Sequence, residues 1–153
     1  MNKTSSPSLE ERLNRESITL KEMVETALSM YIYDPSIGTP AQVKKMVEKE
    51  FKKVLQDINV ASLVMAGLSL EQAGRKGLIP GISREKYNSD PVDLIADEIL
   101  GQSIAIYLAG TRALFEFERL DKKKPGILKR LPPILDDVAA GLISGVMVKV
   151  CSR

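Results

Sequence analysis

Two stretches of this chain are apolar nearly all round when wound as helices, and each sits next to an adjacent pair of acids. One covers residues 96–108 and contains Asp97-Glu98. The other covers 138–148 and follows Asp136-Asp137. A helix that is apolar on every side belongs in the interior. An acid is costly to bury there unless something positive compensates it. The fold must therefore bury two central helices and supply counter-charge where they begin.

Helix signals organise the rest. Thr19-x-x-Glu22 is a capping box, and Met23, Ala27, Met30 and Tyr31 then share one face. Asp34-Pro35 stops that helix. Thr39-Pro40-Ala41-Gln42 opens another, with Pro at its first position and Gln at its third. A third runs from about Asp57 to Lys76, with Gly77 as a left-handed cap. Asp90-Pro91 reads as the start of a fourth, which ends at Gly110. Thr111 opens a fifth that reaches Leu120. A basic loop follows over 121–126, then Pro132-Pro133, then a last helix from near Leu135–Asp137 to about Val150. No segment alternates as a strand does. The expected fold is all-α, a single compact domain of five to six helices over residues 17–153 with two central apolar helices. Residues 1–16 are expected to be a flexible tail with at most one helical turn after Ser8.

Composition removes several chemistries. There is no histidine among the 153 residues, so a histidine phosphatase, a Ser-His-Asp triad and an ordinary zinc site are excluded. No glycine-rich phosphate loop is present. The net charge of +2 and the absence of Trp argue against nucleic acid. The single Cys151 cannot form an internal disulfide, which fits a reducing cytoplasm. The longest apolar stretch, 138–148, is far short of the roughly 20 residues of a spanning helix, so no transmembrane segment is expected.

What remains is carboxylates, Lys, Arg, hydroxyls and metal. Neighbouring helical positions are about 100° apart, so Asp97 and Glu98 cannot both face solvent on a buried helix. The alternative is a salt bridge to Arg112 or Arg119. Asp136 and Asp137 read either as helix capping or as a ligand pair. Arg119, Asp121, Lys122, Lys123, Lys124, Lys129 and Arg130 form a strongly basic stretch around one acid. It reads either as a solvated connector or as a phosphate-gripping loop with Arg119 or Lys124 as the clamp. Glu71, at the end of the apolar run 61–70, could reach the same acids or face water. Oxygen ligands beside a basic loop are what a hard divalent cation and a phosphate require.

At these residues the chain resembles the phosphatidylglycerophosphatase A family, whose members are magnesium-dependent phosphatases. The resemblance rests on D-E-x-x-G at Asp97, Glu98 and Gly101, on R-x-D-x-x-K-P at Arg119, Asp121, Lys124 and Pro125, and on D-D-x-x-A-G at Asp136, Asp137, Ala140 and Gly141. It covers roughly residues 55–145. Residues 90–101, 107–115 and 124–128 are most similar to the soluble archaeal α-ribazole-phosphate phosphatase branch, which serves assembly of the cobalamin nucleotide loop.

The resemblance implies a Mg²⁺- or Mn²⁺-dependent phosphomonoesterase acting on a small phosphorylated substrate. Asp97, Glu98, Asp136 and Asp137 would hold the metal, with Glu71 joining them. Arg119 and Lys124 would steady phosphoryl oxygens, and Asp121 would orient a water or complete the metal site. An aspartyl-phosphate route stays open. α-Ribazole phosphate is the expected substrate and phosphatidylglycerophosphate the runner-up. Two other classes remain: a non-enzymatic helical interaction module and a cation-dependent nucleotide diphosphate hydrolase. A cytoplasmic location is expected, and a homo-oligomer is compatible with everything above.

Overall fold

In the computed structural model, which describes residues 6–152, the second apolar stretch forms the inner part of α8 (Pro133–Cys151). Every residue of α8 from Ile134 to Met147 is buried. The other long helices lie around it: α2 (Leu20–Ser29), α3 (Pro40–Val54), α4 (Ile58–Arg75), α6 (Ala96–Ala109) and α7 (Ala113–Lys123) all pack against α8. Burial of one helix on every side explains why its sequence carries no polar face. No strand occurs among the described residues.

The capping signals act as their chemistry requires. Thr19 and Thr39 accept the backbone N–H three residues on, and Gln42 returns the bond to Thr39. Asp57 accepts from the Asn59 and Val60 amides at the start of α4. Gly77 and Gly110 turn the chain with left-handed φ of 68° and 72° after α4 and α6.

Several expectations are corrected. Among the described residues there are eight α-helices and one 3₁₀ turn (Gly126–Lys129), rather than five to six helices. The additional ones are α1 (Leu9–Arg15) and α5 (Arg84–Asn88), both too short for apolar residues to recur over the several turns that mark a helix in the sequence. α1 belongs to the core: Ser8 caps it with a reciprocal capping box, and Leu9 and Leu13 are buried. Residues 1–5 of the expected tail lie outside the described residues. Asp90-Pro91 does not open α6. Asp90 has a φ of 53°, and the helix begins six residues later at Ala96. α7 continues to Lys123, so Asp121, Lys122 and Lys123 are helical and not part of a loop. α6 is only half central, since Ile99, Ile106 and Tyr107 face outward.

α6 and α8 run in the same general direction. Gly101 meets Asp137 and Gly141, and further along both helices Leu108 meets Gly145. The approach at Gly101 and Gly141 is backbone to backbone. A Cβ on Gly101 would meet the Asp137 carbonyl oxygen well inside contact distance and lie 2.7 Å from the Phe117 ring. A Cβ on Gly141 would collide with the Gly101 carbonyl.

Helix propensity alone predicts that Gly101→Ala stabilises α6 by about 1 kcal/mol. Overpacking a tight contact costs about 1–3 kcal/mol, and here the obstacle is backbone, which cannot rotate aside. Gly101→Ala and Gly141→Ala are therefore both expected to lower Tm by about 5 °C or more in thermal unfolding. A Tm equal to or above that of the parent protein would show that the two helices are not held this close.

Candidate active site

The glycine contact decides where the acids go. Asp97 lies four residues before Gly101, and Asp137 four before Gly141. Four residues are about one helical turn, so each acid sits one turn above the crossing on nearly the same face as its glycine. A cleft of about 300 Å³ opens there. Its acids are Asp90, Asp97, Glu98, Asp121, Asp136 and Asp137, and Lys124 is the one basic side chain lining it among the described residues. The N-terminal ends of α6 and α8 both border the cleft, so their positive dipole ends face it.

Asp97, Asp136 and Asp137 are each less than a tenth exposed. Asp97 accepts the Glu98 amide at 3.0 Å, while Glu98 itself stays exposed at the rim. The Asp136-Asp137 pair does not cap α8. Pro132 holds the N-cap position, no side chain bonds the free amides there, and Asp136 and Asp137 lie at the end of the first turn and just past it. Lys124 Nζ contacts Asp136 Oδ2 and sits 3.3 Å from Asp121 Oδ1. Oδ1 of Asp136 and Oδ1 of Asp137 are buried without any hydrogen-bond partner. Leaving a buried acceptor unsatisfied costs about 1–3 kcal/mol.

Other expected site residues lie elsewhere. Arg119 and Asp121 are two positions apart on α7, a rotation of about 200°, and so they face opposite sides. Arg119 bonds Glu116 at 2.6 Å and the Met30 carbonyl at 3.1 Å, in a separate groove that also contains Arg112. The salt bridge from Asp97 or Glu98 to either arginine is therefore not formed. Glu71 is buried but does not line the cleft. It accepts from the Tyr87 hydroxyl at 2.6 Å and from Arg75 Nε at 2.9 Å, and Arg75 continues to Glu16 at 3.1 Å. Of the basic stretch, Lys122 pairs with Glu118 and Arg130 with Glu22. Only Lys124 reaches the acids of the cleft.

Sequence reading missed Tyr87 and Asp90. A tyrosine is packing by default, and only the fold reveals that the Tyr87 hydroxyl anchors Glu71. Asp90 carried a helix-start signal with its proline, and that local pattern concealed its place in the cleft.

Burial raises the pKa of Asp137 from 3.8 to about 8, and the nearby Asp136, Asp97 and Asp121 add to the rise. Burial also raises Asp136 to about 6, with the Lys124 bond offsetting part of it. Asp97 is raised by the same desolvation. Burial opposes the Lys124 ammonium, but Asp136 and Asp121 more than restore it, so its pKa is raised and it stays cationic.

All the donors are oxygens, which suits a hard divalent cation. Two of them are buried and unpartnered, and a bound cation would satisfy them. The acids are not drawn into a finished cage, however. Among the described residues, no three acidic, cysteine or histidine side chains are close enough to hold a metal as they stand. Cation binding here requires side-chain rotation about fixed backbones.

These shifts carry a pH dependence. Asp137 ionises near 3.8 when unfolded and near 8 when folded. Across that window the folded protein retains a proton the unfolded chain has lost, so its stability falls as pH rises. Metal-free protein in EDTA is expected to show a Tm that declines between pH 6 and about 8. Asp137→Asn is expected to flatten the decline. A level or rising Tm for the parent protein over that range would overturn the assignment.

Comparison with known proteins places the chain. The family model described as Phosphatidylglycerophosphatase A matches residues 22–152. The Uncharacterized protein MJ1330 of Methanocaldococcus jannaschii is 39% identical over 125 residues, covering 79% of this chain and 95% of that protein. The crystal structure of protein YpjQ from Bacillus subtilis has a TM-score of 0.78 and 25% identity, with 94% of this chain and 91% of that one covered. The low temperature requirement C protein from Listeria monocytogenes shares the fold, with a TM-score of 0.80, 21% identity, and coverage of 94% and 92%. No single described helix is long and apolar enough to cross a membrane, although α3 and α4, bent by 81°, pass that test as a broken pair. The chain belongs to the phosphatidylglycerophosphatase A family, a family of phosphatases.

Proposed function

We propose that the cleft is the active site of a metal-dependent phosphomonoesterase. One observation carries this reading: buried carboxylates with unpartnered oxygens, Asp136 and Asp137, share a cleft with a single lysine at two helix N-termini. Acids alone would repel a phosphate. Acids with a divalent cation, a lysine and two helix dipoles can hold one.

Asp97, Glu98, Asp136 and Asp137 are the residues that would hold the Mg²⁺ or Mn²⁺. When bound, such an ion supplies neutralisation of phosphoryl charge and acidification of a water. Asp121 accepts a hydrogen bond from a water and orients it, or completes the ion's ligand set. Lys124 donates to the phosphoryl oxygens as their charge redistributes. The clamp role falls to Lys124 rather than Arg119, which borders a different groove. Glu71 is taken by Tyr87 and Arg75 and is not among the residues that would hold the ion.

The substrate is a small phosphate monoester. α-Ribazole phosphate, in assembly of the cobalamin nucleotide loop, is favoured by the similarity of residues 90–101 to that branch. Phosphatidylglycerophosphate is the second candidate.

Purified protein is expected to release phosphate in the presence of Mg²⁺ or Mn²⁺ and to stop when EDTA is added. α-Ribazole phosphate should be the better substrate in direct comparison with phosphatidylglycerophosphate. Asp136→Asn and Asp137→Asn should each lower kcat by about 10² or more, while the Tm of Asp137→Asn at pH 7 does not fall below that of the parent protein. The reading fails if phosphate release persists in EDTA, or if both variants retain full activity. Pyrophosphate as the product would point to nucleotide diphosphate hydrolysis. No turnover, together with no effect of Mg²⁺ on Tm, would favour an interaction module.

A further inference from the structure

Lys124 stands at an unusual backbone position. It is the C-cap of α7, with φ 42° and ψ 57°. The left-handed region costs a side-chain-bearing residue about 1–2 kcal/mol, and glycine is its usual occupant. A lysine that accepts this conformation invites a reason for being there. The turn points the chain back toward α8, where Nζ reaches Asp136 and Asp121 at once. Lys124 is thus one cation among six cleft acids. It satisfies one oxygen of Asp136 and leaves the other unpartnered, along with Oδ1 of Asp137.

An ammonium bonded to Asp136 occupies coordination capacity that a divalent ion would use. The ammonium takes Oδ2 and leaves Oδ1 free, yet a divalent ion on Oδ1 would share one carboxylate with it, and two cations held that close repel each other. A phosphate entering the cleft changes this balance, because it offers the ammonium other anionic oxygens. The lysine stem is long and flexible, and its side chain is 40% exposed, so Nζ has room to swing.

We propose that Lys124 is an internal counter-cation that competes with the divalent ion for Asp136 and is released from it when phosphate binds. Metal and phosphate then bind with positive coupling, and the site closes on a cation only when something is there to be hydrolysed. This rests on the metal-dependent reading of the cleft. By linkage, phosphate tightens metal binding by the same factor as metal tightens phosphate.

The test is a calorimetric titration of Mn²⁺ alone, at fixed pH, into the parent protein and Lys124→Gln, each with and without inorganic phosphate. Without phosphate, Lys124→Gln is expected to bind Mn²⁺ about tenfold more tightly, the equivalent of losing one competing charge-assisted bond. Phosphate should tighten Mn²⁺ binding several-fold in the parent protein and leave the variant unchanged. If both proteins bind Mn²⁺ equally, or the variant binds more weakly, Lys124 is no competitor and the proposal fails while the metal site stands. If neither binds Mn²⁺, the metal reading fails and the proposal with it. Should Lys124→Gln not fold without metal, Lys124→Arg takes its place. Its fork grips Asp136 more firmly, so Mn²⁺ should bind more weakly, and tighter binding would overturn the proposal.

Discussion

Where α6 crosses α8, backbone meets backbone. Gly101 lies on Asp137 and Gly141 with no side chain between them, and the rest of the site follows from that approach. Were the helices held apart by ordinary side chains, Asp97 and Asp137 would each be a lone acid beside water. Because the crossing is so close, acids one turn above each glycine converge in a space of about 300 Å³. Asp97 and Asp137 each stand four residues before their glycine, and that spacing thus has a mechanical meaning. The glycine makes the contact, and the acids use it.

That convergence opposes stability. Three acids are buried close together, and two of their oxygens have no partner. The burden is visible as pKa values raised by burial at Asp97, Asp136 and Asp137. The wholly apolar interior of α8, packed by five other long helices, is what supports it. Lys124 offsets only part of the charge, at the expense of a left-handed backbone. A cleft that is under-neutralised when empty is suited to take up a cation. The same imbalance would be a defect in a protein that merely had to fold.

Local signals were reliable where the chemistry is local. Thr19, Thr39 and Asp57 cap their helices because a hydroxyl or carboxylate two or three residues before a free amide bonds it regardless of what surrounds it. The same logic misled at Asp90-Pro91, and at Asp136-Asp137 it left capping and ligation both open. Both carry helix-start chemistry, yet Asp90 faces the cleft and the pair lies inside α8. Leu9 and Leu13 in α1 gave too short a pattern to distinguish a packed helix from a tail. Arg119 and Lys124 looked equivalent in a basic run, and the rotation of α7 separated them.

From its residues alone, this chain is readable as a helical protein with two apolar central segments, with the starts of several helices, and with acids, a lysine and glycines in an order that resembles a phosphatase family. These are matters of composition, period and short-range bonding, and they need no knowledge of what lies opposite. Only the packed structure decided that Asp97, Asp121, Lys124, Asp136 and Asp137 share one cleft, that Glu71 is taken by Tyr87 and Arg75, and that Arg119 looks the other way. Those outcomes depend on how far each helix is rotated and how closely it approaches its neighbour. Contacts between distant parts of the chain set both quantities.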